Sequence, residues 1–380
     1  MSKIGNFVQQ PAGYRAFVPA VFPPKNIIEW DNSLIKLLSE ANFAIGRLKA
    51  IETTVPDVDF FIFMYIKKEA ALSSQIEGTQ ATIIDLLKSE ARLDEEIASD
   101  VDEIKNYIRA MNYGIKRLKK LPLSLRLIRE IHQQLLVGVR GQHKTPGEFR
   151  RTQNWIGGPT IETATFVPPP AEEVIRAMSD LEKFIHNESD NIPVLAKAGL
   201  IHSQFETIHP FLDGNGRIGR LLITFYLVTK GVLNRPLLYL SDFFKKHRQD
   251  YYDKLNSYRQ DNGIETWLKF FFEGVKTVAG EAADTALEIM KLREKDTKIV
   301  AGFGRNAKTA LLLLNKLYSL PLVDWKLVAQ ITGLSSKANI NALIDKFVEN
   351  KILEEITGQK KNRRFVYRDY LNKFSREKIT

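Results

Sequence analysis

The 380-residue chain contains no cysteine, which excludes disulfides and thiolate metal centres. Its first residues, Met1-Ser-Lys-Ile-Gly-Asn-Phe7, hold no apolar signal core. Its longest apolar runs, such as Leu221 to Val228, fall far short of the roughly 20 residues that span a bilayer. No membrane association is therefore expected, and the absence of thiols fits a reducing cytoplasm. The chain has no internal repeat, no low-complexity run and no P-loop signature. What is there is ordinary for a globular protein, 44% hydrophobic and 26% charged, and long enough for two or three domains.

Charge is unevenly placed. The whole chain carries +10, yet residues 298–380 hold 16 basic and 7 acidic side chains, leaving a body that is nearly neutral. A basic module of this kind meets either nucleic acid or water. The expected division is an N-terminal helical region over 1–110, a core over 111–297 and a separate tail over 298–380.

Apolar spacing makes the fold mainly α-helical. Residues 1–28, rich in proline and aromatics, read as an extended lead-in. Helices are expected over Trp30–Leu48, from Asp57 or Val58 to Glu77, and near 99–119, 123–137, 171–187, 192–207, 216–230, 242–260 and 263–295. Gly78 suits the left-handed residue that ends a helix, and Thr79 is placed to cap the next one, which holds Ile83, Leu86 and Leu87. Residues 149–170 break the rhythm with β-formers around Gly157-Gly-Pro and predict a short hairpin. In the tail, a helix over Ala307–Tyr318, one capped by Asp324, a turn at Gly333, a helix capped by Ser335 or Ser336 and a hairpin over Lys351–Tyr367 suggest a winged helix.

The densest chemistry lies in His209-Pro-Phe-Leu-Asp-Gly-Asn-Gly-Arg-Ile-Gly-Arg220. These twelve residues combine an imidazole that exchanges protons near neutrality, a carboxylate suited to a hard cation, small residues opening a helix and two forked guanidinium groups. Together they are parts for moving a phosphorus centre. The embedded Gly214-x-Gly216-x-x-Gly219 also matches a dinucleotide fingerprint. That reading is rejected because the preceding Ala196–Ile208 is helical rather than a strand.

The same residues match at every defined position the signature of the Fic family, HxFx(D/E)GNGRxxR, and the chain resembles that family beyond it. Ser73-Ser-Gln-Ile-Glu77-Gly78 is similar to the family's inhibitory helix motif, S/T-x-x-x-E-G/N, in the class where that helix precedes the core. Gly147-Glu-Phe-Arg-Arg151 through Pro170 resembles the segment with the target-docking flap, and the winged-helix tail fits a common multidomain architecture of the family. The resemblance implies transfer of AMP from ATP to a Ser, Thr or Tyr hydroxyl. His209 would be the general base and Asp213 the ligand of Mg²⁺ bridging the α- and β-phosphates. Gly214, Asn215 and Gly216, with Gly219 behind them, would form the ATP-binding anion hole. Arg217 would neutralise the departing pyrophosphate and Arg220 would hold the γ-phosphate. Phe211 would pack in the core and fix the loop. Glu77, braced by Ser73, would occupy Arg220 and block the γ-phosphate; the same glutamate would also serve removal of AMP by orienting a water.

Other expectations follow from the resemblance. Tyr251 and Tyr252 either stack on adenine or pack their helix, with Arg259 on the same element. The flap over 155–166 would take the target as an added strand. The tail either binds DNA, through Ser336–Asn350 and Lys360, Lys361, Arg363 and Arg364, or recruits protein. ATP, the target protein and a homodimer partner are the expected associates, with DNA open. Two competing functions stand beside AMP transfer: a DNA-binding regulator whose core senses nucleotide, and transfer of another nucleotide or of phosphocholine.

Overall fold

The computed structural model describes residues 3–54, 59–92, 100–359 and 361–374. The expected start of the second helix at Asp57 or Val58, and Lys360 at the tip of the tail hairpin, lie outside the described residues. The chain is mainly helical. An N-terminal group comprises α1 (Asn32–Thr54), α2 (Asp59–Ile76), α3 (Ile83–Glu90) and α4 (Val101–Leu118). The centre follows with α5 (Leu125–Leu135), α6 (Ala171–His186), α7 (Val194–Ile208) and α8 (Asn215–Thr229), then α9 (Ser241–Lys246), α10 (Arg248–Gln260) and α11 (Ile264–Ala301). Among the described residues no helix is long and apolar enough to cross a membrane.

The core sits around α7 and α8. Every residue of α7 from Leu195 to Ile208 is buried, as are the first thirteen of α8, so neither helix has a wet face and both must be wrapped by others. Gly199 of α7 lets Leu268 and Phe271 of α11 come close, and its carbonyl accepts the buried Trp267 indole N–H at 2.9 Å. The 38 residues of α11 extend about 57 Å at the usual helical rise. Helix α1 packs along it, and α2 lies against α4, α8 and α9. The N-terminal group is thereby laid directly over the central pair.

Four local expectations are corrected. The lead-in is a hairpin, β1 (Gly5–Gln9) paired antiparallel with β2 (Arg15–Pro19), because Gly13 takes a left-handed φ of +93° in the turn. The cap of α3 is Thr82, which forms a reciprocal capping box with Asp85; the Thr79 hydroxyl donates elsewhere. The expected helix over 242–260 is two helices broken at His247, which has left helical geometry. The expected hairpin over 149–170 reduces to one bridge, Ile156 with Phe166. The positive φ at Gly157 and Gly158 keeps a longer ladder from forming there.

The tail runs α12 (Ala307–Leu317), β3 (Leu322–Asp324), α13 (Trp325–Thr332), α14 (Lys337–Glu349), β4 (Glu354–Glu355), β5 (Arg364–Val366) and α15 (Arg368–Leu371). Asp324 and Ser336 cap their helices and Gly333 turns left-handed between them, while β5 pairs with both β3 and β4. The tail is seated on the body. Tyr367 donates to Asp296 of α11, Lys67 of α2 donates to the Ser319 carbonyl at 2.8 Å, and the Phe374 ring meets Tyr65.

Packing generates a paired prediction. A Cβ at Gly114 of α4 would lie 2.4 Å from the buried Phe225 ring, whereas one at exposed Gly46 of α1 meets nothing. Gly114→Ala should destabilise by about 1–3 kcal/mol through overpacking, and Gly46→Ala should stabilise by roughly 0.5–1 kcal/mol. Urea unfolding midpoints of the two variants, shifting in opposite directions, would verify it.

Candidate active site

The segment between α7 and α8 begins and ends in left-handed geometry. His209 closes α7 at φ +49°, with its N–H on the Phe205 carbonyl, and Gly214 opens α8 at φ +77°. A histidine held there is a sparsely populated arrangement that needs support. The support comes from several elements. The Asn215 side chain closes the loop, accepting the Phe211 N–H and donating to the Phe211 carbonyl, both at 2.8 Å. Buried Arg150 donates to the His209 carbonyl at 3.0 Å and the Pro169 carbonyl at 2.6 Å, and Asn154 donates to the Phe211 carbonyl at 2.9 Å. Phe211, wholly buried, stacks on His132 at 3.7 Å between centroids. His132 Nδ1 accepts the Gly147 N–H, so its proton sits on Nε2, which donates to the Asp213 carbonyl at 2.9 Å.

Sequence analysis did not single out His132, Arg150 or Asn154. Arg150 lies within a segment quoted for the flap, but nothing in its spacing told that its side chain turns back to grip His209.

The imidazole of His209 is held neutral. Burial pushes its pKa down to about 3, with the charges of Arg259 and Arg150 acting in the same direction. Among the described residues its Nδ1 has no hydrogen-bond partner; it lies 3.7 Å from Glu206 Oε2. The Glu206 carboxyl is itself pushed up to about 7 by burial. A neutral ring with a free lone pair can take a proton from an approaching hydroxyl.

Helix α8 starts without a side-chain cap, so the donors of its first turn are available to an anion. Glu77 stands beside this turn: its Oε1 would lie 2.1 Å from a Cβ on Gly216. Bulk at Gly216 would collide with it. The carboxylate is bound by Arg220, whose Nη2 donates to Glu77 Oε1 at 2.8 Å and to the Ser73 carbonyl at 2.9 Å, while Nε donates to Ser73 Oγ at 2.8 Å. Burial alone would raise the Glu77 carboxyl, but the Arg220 charge and hydrogen bond outweigh it and hold it below the ordinary carboxylate value. Arg220 shifts upward for the reciprocal reason, against the pull of its own burial.

The remaining positions are distributed as follows. Arg217 is wholly buried, donates to Glu103 at 3.2 Å and places Nη2 3.6 Å from Asp213 Oδ1. Asp213 is partly exposed and accepts the Gly214 N–H at 2.6 Å. Among the described residues no three His, Asp or Glu side chains gather as a metal cluster. A single carboxylate is what Mg²⁺ needs when phosphates and water supply the rest of its shell. His209, Asp213, Arg217, Arg220 and Glu77 therefore converge on the start of α8. Gly219 faces Glu206 and His202 instead. Tyr251 is 1% exposed, stacked on Phe244 and hydrogen-bonded to His202, so it packs its helix, whereas Tyr252 is half-buried with Arg248 over its ring. Arg259 lies 3.9 Å above the Phe166 ring and donates to the Glu206 carbonyl, joining the flap to the end of α7.

The chain is similar to known proteins. Residues 35–116 match the Fic/DOC family N-terminal model and residues 122–227 the Fic/DOC family model. The chain is 33% identical over 178 residues to a protein adenylyltransferase Fic from Drosophila grimshawi, covering 43% of this chain and 34% of that protein. It is 32% identical over 185 residues to a probable protein adenylyltransferase from Aquifex aeolicus, covering 46% and 51%. It thus spans between a third and about half the length of these relatives. A Fic family protein from Desulfovibrio desulfuricans superposes with a TM-score of 0.57 at 19% identity, over 90% of this chain and 97% of that one. A Fic domain containing signaling protein from Bacteroides thetaiotaomicron gives 0.54 at 21%, over 68% and 97%. Both structural likenesses concern the fold.

The electrostatics predict a titration. Burial lowers His132 to about 4 and His202 and His209 to about 3. Below the ordinary histidine value of about 6.5 the unfolded chain takes up these protons first, so their contribution to stability is lost as pH falls from about 6.5 towards 4. Glu206 acts oppositely, holding its proton when folded between the ordinary carboxyl value and about 7. Nitrogen-15 NMR should find these three imidazoles neutral at about pH 5, where exposed histidines are mostly charged. A ring among them titrating near 6.5 would contradict the burial argument.

Proposed function

This chain belongs to the Fic/DOC family, and on that footing we propose that it is a protein adenylyltransferase that moves AMP from ATP to a hydroxyl of a target protein in the cytoplasm. One observation carries the reading: the Glu77 carboxylate, just past the end of α2, lies against the uncapped start of α8, bonded to Arg220, beside a neutral histidine. An anion-binding turn, a base in the loop before α8 and a pair of arginines on the first turns of α8 suit a nucleoside triphosphate.

In this mechanism the α8 turn and Arg220 hold the triphosphate, with Arg217 on the departing end. The target hydroxyl oxygen attacks the α-phosphorus, the bond to the β-phosphate oxygen breaks, pyrophosphate leaves and the hydroxyl proton passes to His209. Asp213, with the phosphates, would hold Mg²⁺, which supplies neutralising charge to the phosphate oxygens. Tyr252, with more of its ring open than Tyr251, is the better face for adenine. The 155–166 flap presents the target as an extended segment, a reading supported by the Ile156–Phe166 bridge at its base. The three regions 1–110, 111–297 and 298–380 would divide brake, catalysis and recruitment. Recruitment of protein rather than DNA by the tail is supported by its basic groups. Lys337 lies over Trp325, Lys346 over Phe303, and Arg363 beside Asp345 and over Phe365, so several cations are engaged within the tail.

Glu77 acts as a brake by occupying Arg220. A tethered carboxylate competes at high local concentration. Hydrogen bonds to charged groups contribute about 1.5–3 kcal/mol, so Glu77→Gly should raise labelling by radioactive ATP about 10- to 100-fold. His209→Ala in that background should lower it about 10²- to 10⁴-fold. Equal labelling by the parent and Glu77→Gly would remove the brake. Mass spectrometry showing no AMP on this chain or any lysate protein would remove the transferase reading itself.

A further inference from the structure

We propose that Glu103 is the positioning residue of Arg217, and that through the Thr79 hydroxyl it links the orientation of that arginine to the turn that delivers Glu77. The inference deepens the reading of Arg217 as the contact to the departing pyrophosphate and rests on it.

Arg217 has no exposed surface. One edge of its guanidinium is held, Nη1 donating to Glu103 Oε2 at 3.2 Å. Among the described residues Nε and Nη2 are buried without any hydrogen-bond partner, an arrangement that costs free energy unless a ligand completes it. Nη2 lies 3.6 Å from Asp213 Oδ1, on the side of the loop that carries the proposed phosphate chemistry. A planar fork anchored along one edge presents the other in a fixed direction. Glu103, 3% exposed on α4, thereby aims the open edge at the phosphates instead of covering it.

The anchor is shared. The same Oε2 of Glu103 accepts the Thr79 hydroxyl at 2.8 Å. Thr79 stands two residues after Glu77, beyond Gly78 at φ +99°. Arg140 brackets this turn from the far side, with Nη2 3.4 Å from the Glu77 carbonyl and Nε 3.5 Å from Glu103 Oε1. The turn that puts one carboxylate on Arg220 thus also bonds the carboxylate that braces Arg217. The two glutamates have opposite effects. Glu77 fills the phosphate side of its arginine, while Glu103 holds its arginine from behind.

The test uses the full chain in the Glu77→Gly background, with binding of ATP and of AMP measured by calorimetry in Mg²⁺. Arg217 meets only what lies beyond the α-phosphate, so Glu103→Gln should weaken ATP about five- to tenfold and leave AMP unchanged. Thr79→Val, which keeps the ion pair, should shift ATP alone in the same direction by a smaller factor. It decides the matter if Glu103→Gln does not fold. In an Arg217→Ala background, Glu103→Gln should have no further effect on ATP. Equal losses for ATP and AMP, no loss in either variant, or a Glu103 effect that persists without Arg217 would overturn the inference. If Glu77→Gly itself binds neither nucleotide, the nucleotide-site reading fails, an outcome distinct from ATP binding that Glu103→Gln leaves intact.

Discussion

A guanidinium sealed inside protein needs an anion, and for Arg220 that anion comes from Glu77, 143 residues earlier in the chain. Much of the architecture serves this contact. Helix α2 must lie across α8 to bring Ser73 and Glu77 to it, which in turn requires α2 to pack against α4 and α9 and the N-terminal group to sit over the central pair. Removing one partner of such a buried pair exposes an uncompensated charge. The same interaction gives the start of α8 a single arrangement. On the proposed reading, a nucleotide phosphate and Glu77 compete for this arginine.

The loop before α8 illustrates a second constraint. A left-handed histidine is not a comfortable backbone state, and it persists because Arg150, Asn154, His132 and Asn215 each take a loop carbonyl or N–H. The dry surroundings these groups create act on charge. They keep His209 neutral and leave Glu206 with a pKa pushed up to about 7 by burial. Imidazole and guanidinium groups differ in kind here: burial keeps His209 neutral, while Arg217 and Arg220 concentrate positive charge a turn away. The short segment 209–220 holds both because α7 ends and α8 begins within six residues.

Much of the helical plan was legible along the chain. Helices α4 to α8 and α11 to α14 begin within a few residues of where apolar spacing and capping residues put them, since a 3.6-residue stripe and a local cap are properties of neighbouring residues. Where the reading slipped, a nearby competitor won. Thr79 has the chemistry of a cap, but Thr82 has Asp85 three residues on and closes a reciprocal box. The α9–α10 break at His247 leaves the apolar pattern nearly undisturbed. The flap contains β-formers, yet two left-handed glycines keep all but one bridge from pairing.

The candidate site divides along the same line. The residue types of 209–220, the glycine at the turn after α2 and the presence of a glutamate before it were settled by the sequence, because each depends on local geometry or on a contiguous motif. Which carboxylate meets which arginine, that Tyr251 is sealed against Phe244 while Tyr252 stays half-open, and that His132, Arg150 and Glu103 belong to the site were decided only by the tertiary structure. Those relations join residues dozens to more than a hundred positions apart. No spacing rule encodes them, because they arise from how buried charges and unpaired backbone groups found partners once the helices had packed.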